Sequence, residues 1–265
     1  MLEIFQFQFM IRAFIAGGVI AIVAPLIGNF LVVRRYSLMA DTLAHVALAG
    51  VALGVITQTQ PVVVAVITSI LAALGIERLR SEKNMYGESI LAIFLSGSLA
   101  IASVLLSTAR GFSANLFSYL FGSIATISQF DVAIILLLGI ITFAIILLLY
   151  KEFLFISFDQ ELASANGIRV QLLNTILIVL TAVTVAIAIR IVGALLIGAL
   201  MVIPVITGMQ FQRGFRISMI LSIIFSLLSV FVGLFLAYYF NLASGGSIVM
   251  VALFFFIISL FKKRT

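Results

Sequence analysis

Hydrophobic positions in this chain come in long unbroken runs, unlike the period-2 alternation of a half-buried strand or the one-sided stripe of a surface helix. The runs cover residues 13–33, 36–56, 61–76, 89–109, 132–149, 170–189, 191–209, 217–239 and 247–261. Crossing about 30 Å of hydrocarbon takes about 20 mostly apolar residues at about 1.5 Å rise each. The pattern therefore predicts an all-α, polytopic helical membrane protein of about nine transmembrane segments, with residues 1–265 as one domain. The sixth and seventh runs are separated only by Arg190. They read either as two helices with a tight turn or as one segment that partly re-enters the membrane.

Composition supports a membrane setting. The chain is 64% hydrophobic and 9% charged, with a mean hydropathy of +1.37. A soluble domain has about 25% charged and about 45–50% apolar residues, so soluble enzymes, disordered chains and repeat solenoids are excluded. The net charge is +6, but the basic residues lie scattered between apolar runs, not clustered with stacking aromatics, so no nucleic-acid partner is expected. There is no cysteine, hence no disulfide, thiolate metal site or cysteine nucleophile.

The scattered cations carry topology, because Lys and Arg accumulate on the cytoplasmic side. With the Arg34–Arg35 turn inside, alternation places Arg78, Arg80, Lys83, Lys151, Arg169, Arg213, Arg216, Lys262, Lys263 and Arg264 on the same side. Only Arg12, Arg110 and Arg190 fall outside, a 12 to 3 split of the 15 basic residues. The N-terminus is then external and the C-terminus cytoplasmic.

Two connections have content of their own. The external stretch holds NLFSYLFG over 115–122, too short to span and too apolar to be solvated, which predicts an interfacial helix near 113–127. On the cytoplasmic side, Ser157-Phe158-Asp159-Gln160 fits a capping box, with Ser157 as the cap. Asn166-Gly167 supplies a stop, so a short helix is expected near 157–167. Phe158, Leu162 and Ala165 would share one face, with Asp159 and Glu161 off it. Such a helix either covers the bundle's end or docks a soluble partner.

Asp41 and His45 are the residues whose burial costs most. They lie four apart on one helical face, about 7–8 Å and about 13–14 Å inward from Tyr36. His45 is the chain's single histidine. An ionisable side chain at the bilayer centre costs at least about 2.5–3.5 kcal/mol and persists where it meets a partner, a cavity or a substrate. Three readings fit: a structural pair, a proton relay, or a metal site, since carboxylate and imidazole are ordinary ligands of Zn²⁺ and Mn²⁺. Two ligands make only half a tetrahedral shell, and such weak holding suits a conduit. Small residues flank the pair: Ala40, Ala44, Ala47, Gly50 and Gly54 on the second run, and Gly193, Ala194, Gly198 and Ala199 on the seventh, ahead of Pro204. They allow close helix approach, and Pro25 and Pro204 are expected to kink their helices. No Gly-x-x-x-x-Gly-Lys-Ser/Thr phosphate loop occurs, so the chain itself does not hydrolyse nucleotide.

At these residues the sequence resembles the membrane permease subunit of the bacterial zinc/manganese/iron ABC importers. The stretch LVVRRYSLMADTLAHVALAGVALG at 31–54, with its Asp-x-x-x-His pair, carries the resemblance most specifically. YLFGS at 119–123, SFDQELA at 157–163 and VGALLIGALMVIP at 192–204 follow in order. The resemblance implies a plasma-membrane homodimer, a cytoplasmic ATPase under each copy, and an external metal-binding protein received by 110–115 and neighbouring loops. It implies that Asp41 and His45 meet the transported ion, with no permanently bound cofactor. It also implies that Ser157, Phe158, Asp159, Glu161, Leu162 and Gly167 form the coupling helix, and that Gly50, Gly54, Gly193, Gly198 and Pro204 pack the path. Two Asp–His pairs across a dimer axis would offer four ligands.

HVALAG at 45–50 and the YLFGS run look like the zinc branch, whereas SFDQEL and Gly245-Gly246-Ser247 lean towards manganese. Zinc is favoured. Competing readings are an ion-coupled secondary transporter using the pair as a relay, an intramembrane enzyme, and a non-transporting assembly subunit. The enzyme reading is weakened by the lack of a nucleophile or a second carboxylate at depth.

Overall fold

A computed structural model describes residues 6–82, 86–108 and 113–261. Within them the chain forms twelve α-helices and no strand: α1 (Gln8–Val33), α2 (Leu38–Ile56), α3 (Pro61–Glu82), α4 (Gly87–Thr108), α5 (Ser113–Phe121), α6 (Gln129–Leu148), α7 (Tyr150–Phe158), α8 (Gln160–Ala165), α9 (Val170–Ala188), α10 (Ile197–Met209), α11 (Phe215–Phe240) and α12 (Ser244–Leu260). Seven of these, α1–α4, α6, α9 and α11, are long and apolar enough to cross a membrane. The seventh and ninth apolar runs form shorter helices of 13 and 17 residues, α10 and α12.

α1, α2 and α9 are largely buried, while α3, α4 and α6 turn Leu71, Ile93, Val104, Leu137 and Ile140 outward. Apolar side chains on the rim suit hydrocarbon, where every backbone group must be satisfied within the helix. Close approach at the centre depends on missing side chains. A Cβ on Gly50 would meet Ala65 and Thr68 of α3, and one on Gly54 would meet Pro61. These two glycines therefore seal α2 to α3.

The seventh run differs most from the pattern expected of it. Residues 190–196 form turns, and α10 begins only at Ile197. α1 and α10 continue as single helices through Pro25 and Pro204; the interruption falls at Gly193 instead. Gly193 has φ +89°, and a side chain there would run into the Leu120 carbonyl and the Gly122 amide. The freed backbone groups are taken up by the end of α5 and the loop behind it. Ala194 N–H donates to the Tyr119 carbonyl (2.8 Å), Leu195 N–H to that of Leu120 (3.2 Å), and Ser123 N–H to that of Arg190 (3.1 Å). Ser244 Oγ donates to the Ile191 carbonyl at 2.8 Å. The YLFGS and VGALLIG stretches, far apart in sequence, thus form one clasp.

Arg190 and Asp131 close that end of the bundle. The guanidinium lies 3.7 Å from the carboxylate and over the Tyr119 ring, 4.8 Å from its centroid. Asp131 also completes a capping box with Ser128 at the start of α6. The helix expected near 113–127 is thus α5, ending at Phe121, and residues 122–128 are not helical.

At the opposite end, Phe30 packs on Phe153 and Phe215 (5.6 and 5.3 Å between centroids), fixing α7 against α1 and α11. Arg34, Arg80, Arg169 and Arg216 gather at this end, with Arg12 and Arg190 at the other. Lys83, Arg110, Lys262, Lys263 and Arg264 lie outside the described residues.

Substituting Gly193 by Ala should lower the unfolding temperature of the purified protein. A left-handed residue without glycine costs about 1–2 kcal/mol before any clash, and a thermal melt beside Gly246→Ala, where a side chain meets open space, checks it.

Candidate functional site

α2 supplies the candidate site because its first turns carry both ionisable side chains on one face. Asp41 and His45 are each half-buried, looking out of the protomer where most of α2 looks in. The seat for Asp41 is built by α10: a Cβ on Gly198 would overlap the Asp41 carboxylate. Gly198 is therefore small because the carboxylate occupies its side-chain space. It also belongs to the first turn of α10, where unpaired N–H groups and the helix dipole favour an anion.

No hydrogen bond joins Asp41 to His45, and His45 Nδ1 is buried without a hydrogen-bond partner among the described residues. The structural-pair reading needs Asp41 to accept from His45 or a nearby hydroxyl. Thr42 Oγ1, the adjacent hydroxyl, donates instead to the Leu38 carbonyl at 3.0 Å. Among the described residues no further His, Cys, Asp or Glu completes a group of three with the pair. The chain thus presents one carboxylate and one imidazole on α2, and the exposed or half-buried residues Leu38 of α2, Leu195 just before α10, and Ala199, Val202 and Ile206 of α10 are apolar.

The remaining expected residues divide by position. Gly198 and Pro204 lie on α10, Gly198 against Asp41; Gly193 belongs to the clasp, and Gly50 and Gly54 to the α2–α3 seam. Sequence reasoning missed two buried acids. Asp131 is 1% exposed and Glu77 4%, so carboxylates buried by protein also occur on α6 and α3. Both are matched, Asp131 with Arg190 and Glu77 with Arg80 at 3.3 Å. The Ser128-x-x-Asp131 capping spacing and the Glu77/Arg80 separation of three were the available signals.

The helix expected on the cytoplasmic side forms, but its cap is not Ser157. Buried Phe153 and Ile156 carry α7 through to Phe158, leaving Ser157 inside the helix with its hydroxyl on the Phe153 carbonyl at 2.6 Å. Asp159, in extended conformation, caps α8 by accepting from Leu162 N–H at 2.9 Å. At the far end Gly167 adopts φ +81°. Ile168 N–H donates to the Ala163 carbonyl and Gly167 N–H to that of Ser164 (3.1 and 3.0 Å), the paired bonds of a Schellman stop. The break at Asp159 also puts Phe158 and Leu162 on different helices. Both side chains are exposed, beside exposed Asp159 and Glu161, and Ala163 alone of this stretch is buried.

Residues 6–263 match the model of the ABC 3 transport family. The chain belongs to that family. It is 32% identical to the high-affinity zinc uptake system membrane protein ZnuB of Haemophilus influenzae, over 98% of this chain and 99% of that protein. It is also 32% identical to the manganese transport system membrane protein MntC of Listeria monocytogenes, over 98% and 92%. Among solved structures, PsaBC from Streptococcus pneumoniae superposes with a TM-score of 0.88 at 33% identity, covering 99% of this chain and 94% of that one. The chain is thus a multi-pass plasma-membrane permease subunit of an ABC transporter, and not an enzyme.

Gly198→Ala should dislodge Asp41 and reduce transport by the assembled importer, because overpacking at a filled position costs about 1–3 kcal/mol. Transport rates at matched membrane abundance check this, with Gly246→Ala, where a Cβ meets nothing within 4 Å, expected to behave as wild type.

Proposed function

We propose that this permease imports a divalent transition metal, zinc in first place, and that Asp41 and His45 hold the ion in transit. The observation that carries the reading is a carboxylate and an unpartnered imidazole, four residues apart, on an otherwise apolar face between α2 and α10. Fully buried Asp131 and Glu77 have cationic partners; none is found for Asp41 among the described residues, and a divalent cation is a counter-charge the pair suits.

Neutral imidazole and carboxylate bind Zn²⁺ well, and a borderline ion accepts both donor types. One protomer offers two ligands, enough to attract an ion and too few to trap it. A second copy of the chain, bringing its own Asp41 and His45 to a shared cavity, would raise the set to four. Release then follows when the two copies separate at this face, so gating and affinity change become one motion.

The clasp end, with α5 as an interfacial helix, is the external side that receives a metal-binding protein, in keeping with its few basic residues. The arginine-rich end is cytoplasmic. There α7 and α8 form the coupling helix: exposed Phe158 and Leu162 enter a partner ATPase, Asp159 and Gly167 fix the two ends of α8, and Glu161 faces the partner. Ser157 sets the last turn of α7. ATP is hydrolysed on that separate subunit.

Manganese is the second reading. It is favoured by the equal identity to ZnuB and MntC and by the tolerance of both ions for these donors.

Total cell zinc and manganese, measured by mass spectrometry in a strain dependent on this permease, tests the proposal. In Asp41→Asn and His45→Ala at matched expression, one metal falls to the level of the deletion strain and is thereby identified. Normal uptake by both variants would make the pair structural. Replacing Phe158 and Leu162 together by Ser should abolish metal-stimulated ATPase activity while ion binding at the pair persists, a separation that binding and hydrolysis assays on purified importer resolve.

A further inference from the structure

Two cavities lie in series along the cleft between α3 and α4, floored by α2. The first, about 280 Å³, opens at the arginine-rich end and is lined by Arg34, Arg35, Tyr36, Arg80, Glu88 and a base of apolar side chains. The second, about 360 Å³, begins one turn further along α4. It is walled by Val46 and Leu53 of α2, Ala72 of α3, and Phe94, Gly97 and Ile101 of α4. α3 and α4 each pack mainly on α2 and touch one another little, which leaves the cleft open to the bilayer. From Ile90 to Ile101 it runs for about 16 Å along α4.

The first cavity is charged in a specific way. The Arg34 and Arg80 guanidinium groups stack over the Tyr36 ring, 5.2 and 4.8 Å from its centroid. Arg80 also donates to the Tyr36 hydroxyl and pairs with Glu77. Arg34 donates to Asn174 Oδ1 at 2.6 Å, yet its Nε is buried without an acceptor. Arg35, exposed in a left-handed turn with φ +60°, completes the rim. Three guanidinium groups meet two carboxylates, Glu77 already in an ion pair and Glu88 exposed on the first turn of α4. The excess is positive, and an unfilled guanidinium N–H points to an anion with oxygen acceptors.

We propose that the cleft binds one anionic phospholipid, its phosphate among Arg34, Arg35 and Arg80 and an acyl chain in the groove lined by Gly97 and Phe94. Each half restricts the occupant. A free phosphate would leave the apolar groove unused, and a neutral lipid would leave the positive excess unmatched. A basic pocket between transmembrane helices at the cytoplasmic face is a physical match for a lipid headgroup. Gly97 then has a reason to be bare, since a Cβ there meets nothing within contact range and the space belongs to the lipid. Because α2 floors both cavities and carries Asp41 and His45, the lipid braces the helix that holds the ion.

Native mass spectrometry and thermal melts of the purified permease–ATPase complex test this, with phosphatidylglycerol, phosphatidylcholine and inorganic phosphate added in turn. Phosphatidylglycerol should be retained and should raise the melting temperature, with the other two showing neither effect. Arg35→Gln should weaken its binding about fivefold, the worth of one juxtamembrane cation. Gly97→Leu, whose Cβ meets nothing within 4 Å and whose side chain enters the groove, should abolish retention while the complex stays assembled. Equal retention of phosphatidylcholine, equal protection by inorganic phosphate, or undiminished phosphatidylglycerol binding in both variants would each overturn the proposal.

Discussion

Hydrocarbon provides no hydrogen-bond partner and little screening of charge, so a polar group placed in it must be matched by the protein or by something the protein carries. The clasp around Gly193 shows the first solution. The residues between α9 and α10 leave helical geometry, and Tyr119, Leu120, Ser123 and Ser244 accept or supply the hydrogen bonds that lipid cannot. Glycines at 122 and 193 permit it, because their positive φ angles and the carbonyls pressed against them leave no room for a side chain. Arg190, Asp131 and Tyr119 satisfy charge at the same end. Asp41 and His45 differ from that end: no hydrogen bond joins them, and His45 Nδ1 is buried without a hydrogen-bond partner among the described residues.

That contrast ties fold to function. A tight clasp at one end and an aromatic lock of Phe30, Phe153 and Phe215 at the other hold α1, α7, α10 and α11 as a rigid frame. The frame leaves the α2–α10 face free for the proposed ion site, and the exposed α8 stretch at 159–167 projects outward. Gly198 joins the two: it belongs to the helix that follows the clasp, and its missing side chain is the seat of Asp41. A shift of α10 relative to α2 therefore acts directly on the ligand geometry.

Much of this was legible from local pattern. The bounds of α1, α2, α9 and α11 fall within a few residues of their apolar runs, and the Gly167 stop and the Asp41/His45 face follow from spacing alone. What escaped were features that depend on distant chain. A tight turn beside Arg190 was one of two readings, but its extent was not legible: the chain stays out of the helix until Ile197, with Gly193 placed where the end of α5 takes the freed backbone groups. Ser157 looked like a cap because its neighbours fit a capping box. Burial of Phe153 and Ile156 against Phe30 and the bundle carried α7 past it, and Asp159 took the role. The seat of Asp41 on Gly198 and the pairing of Arg190 with Asp131 join residues on separate helices, which periodicity does not connect.

The central claim is that His45 and Asp41 bind the ion, and His45 being the chain's single histidine makes it testable by spectroscopy. X-ray absorption at the zinc edge should be recorded on the zinc-loaded permease–ATPase complex, without its external binding protein, beside His45→Ala. The account predicts nitrogen and oxygen neighbours at about 2.0–2.2 Å, with outer-shell imidazole scattering that disappears in the variant. A zinc shell unchanged by His45→Ala would contradict it.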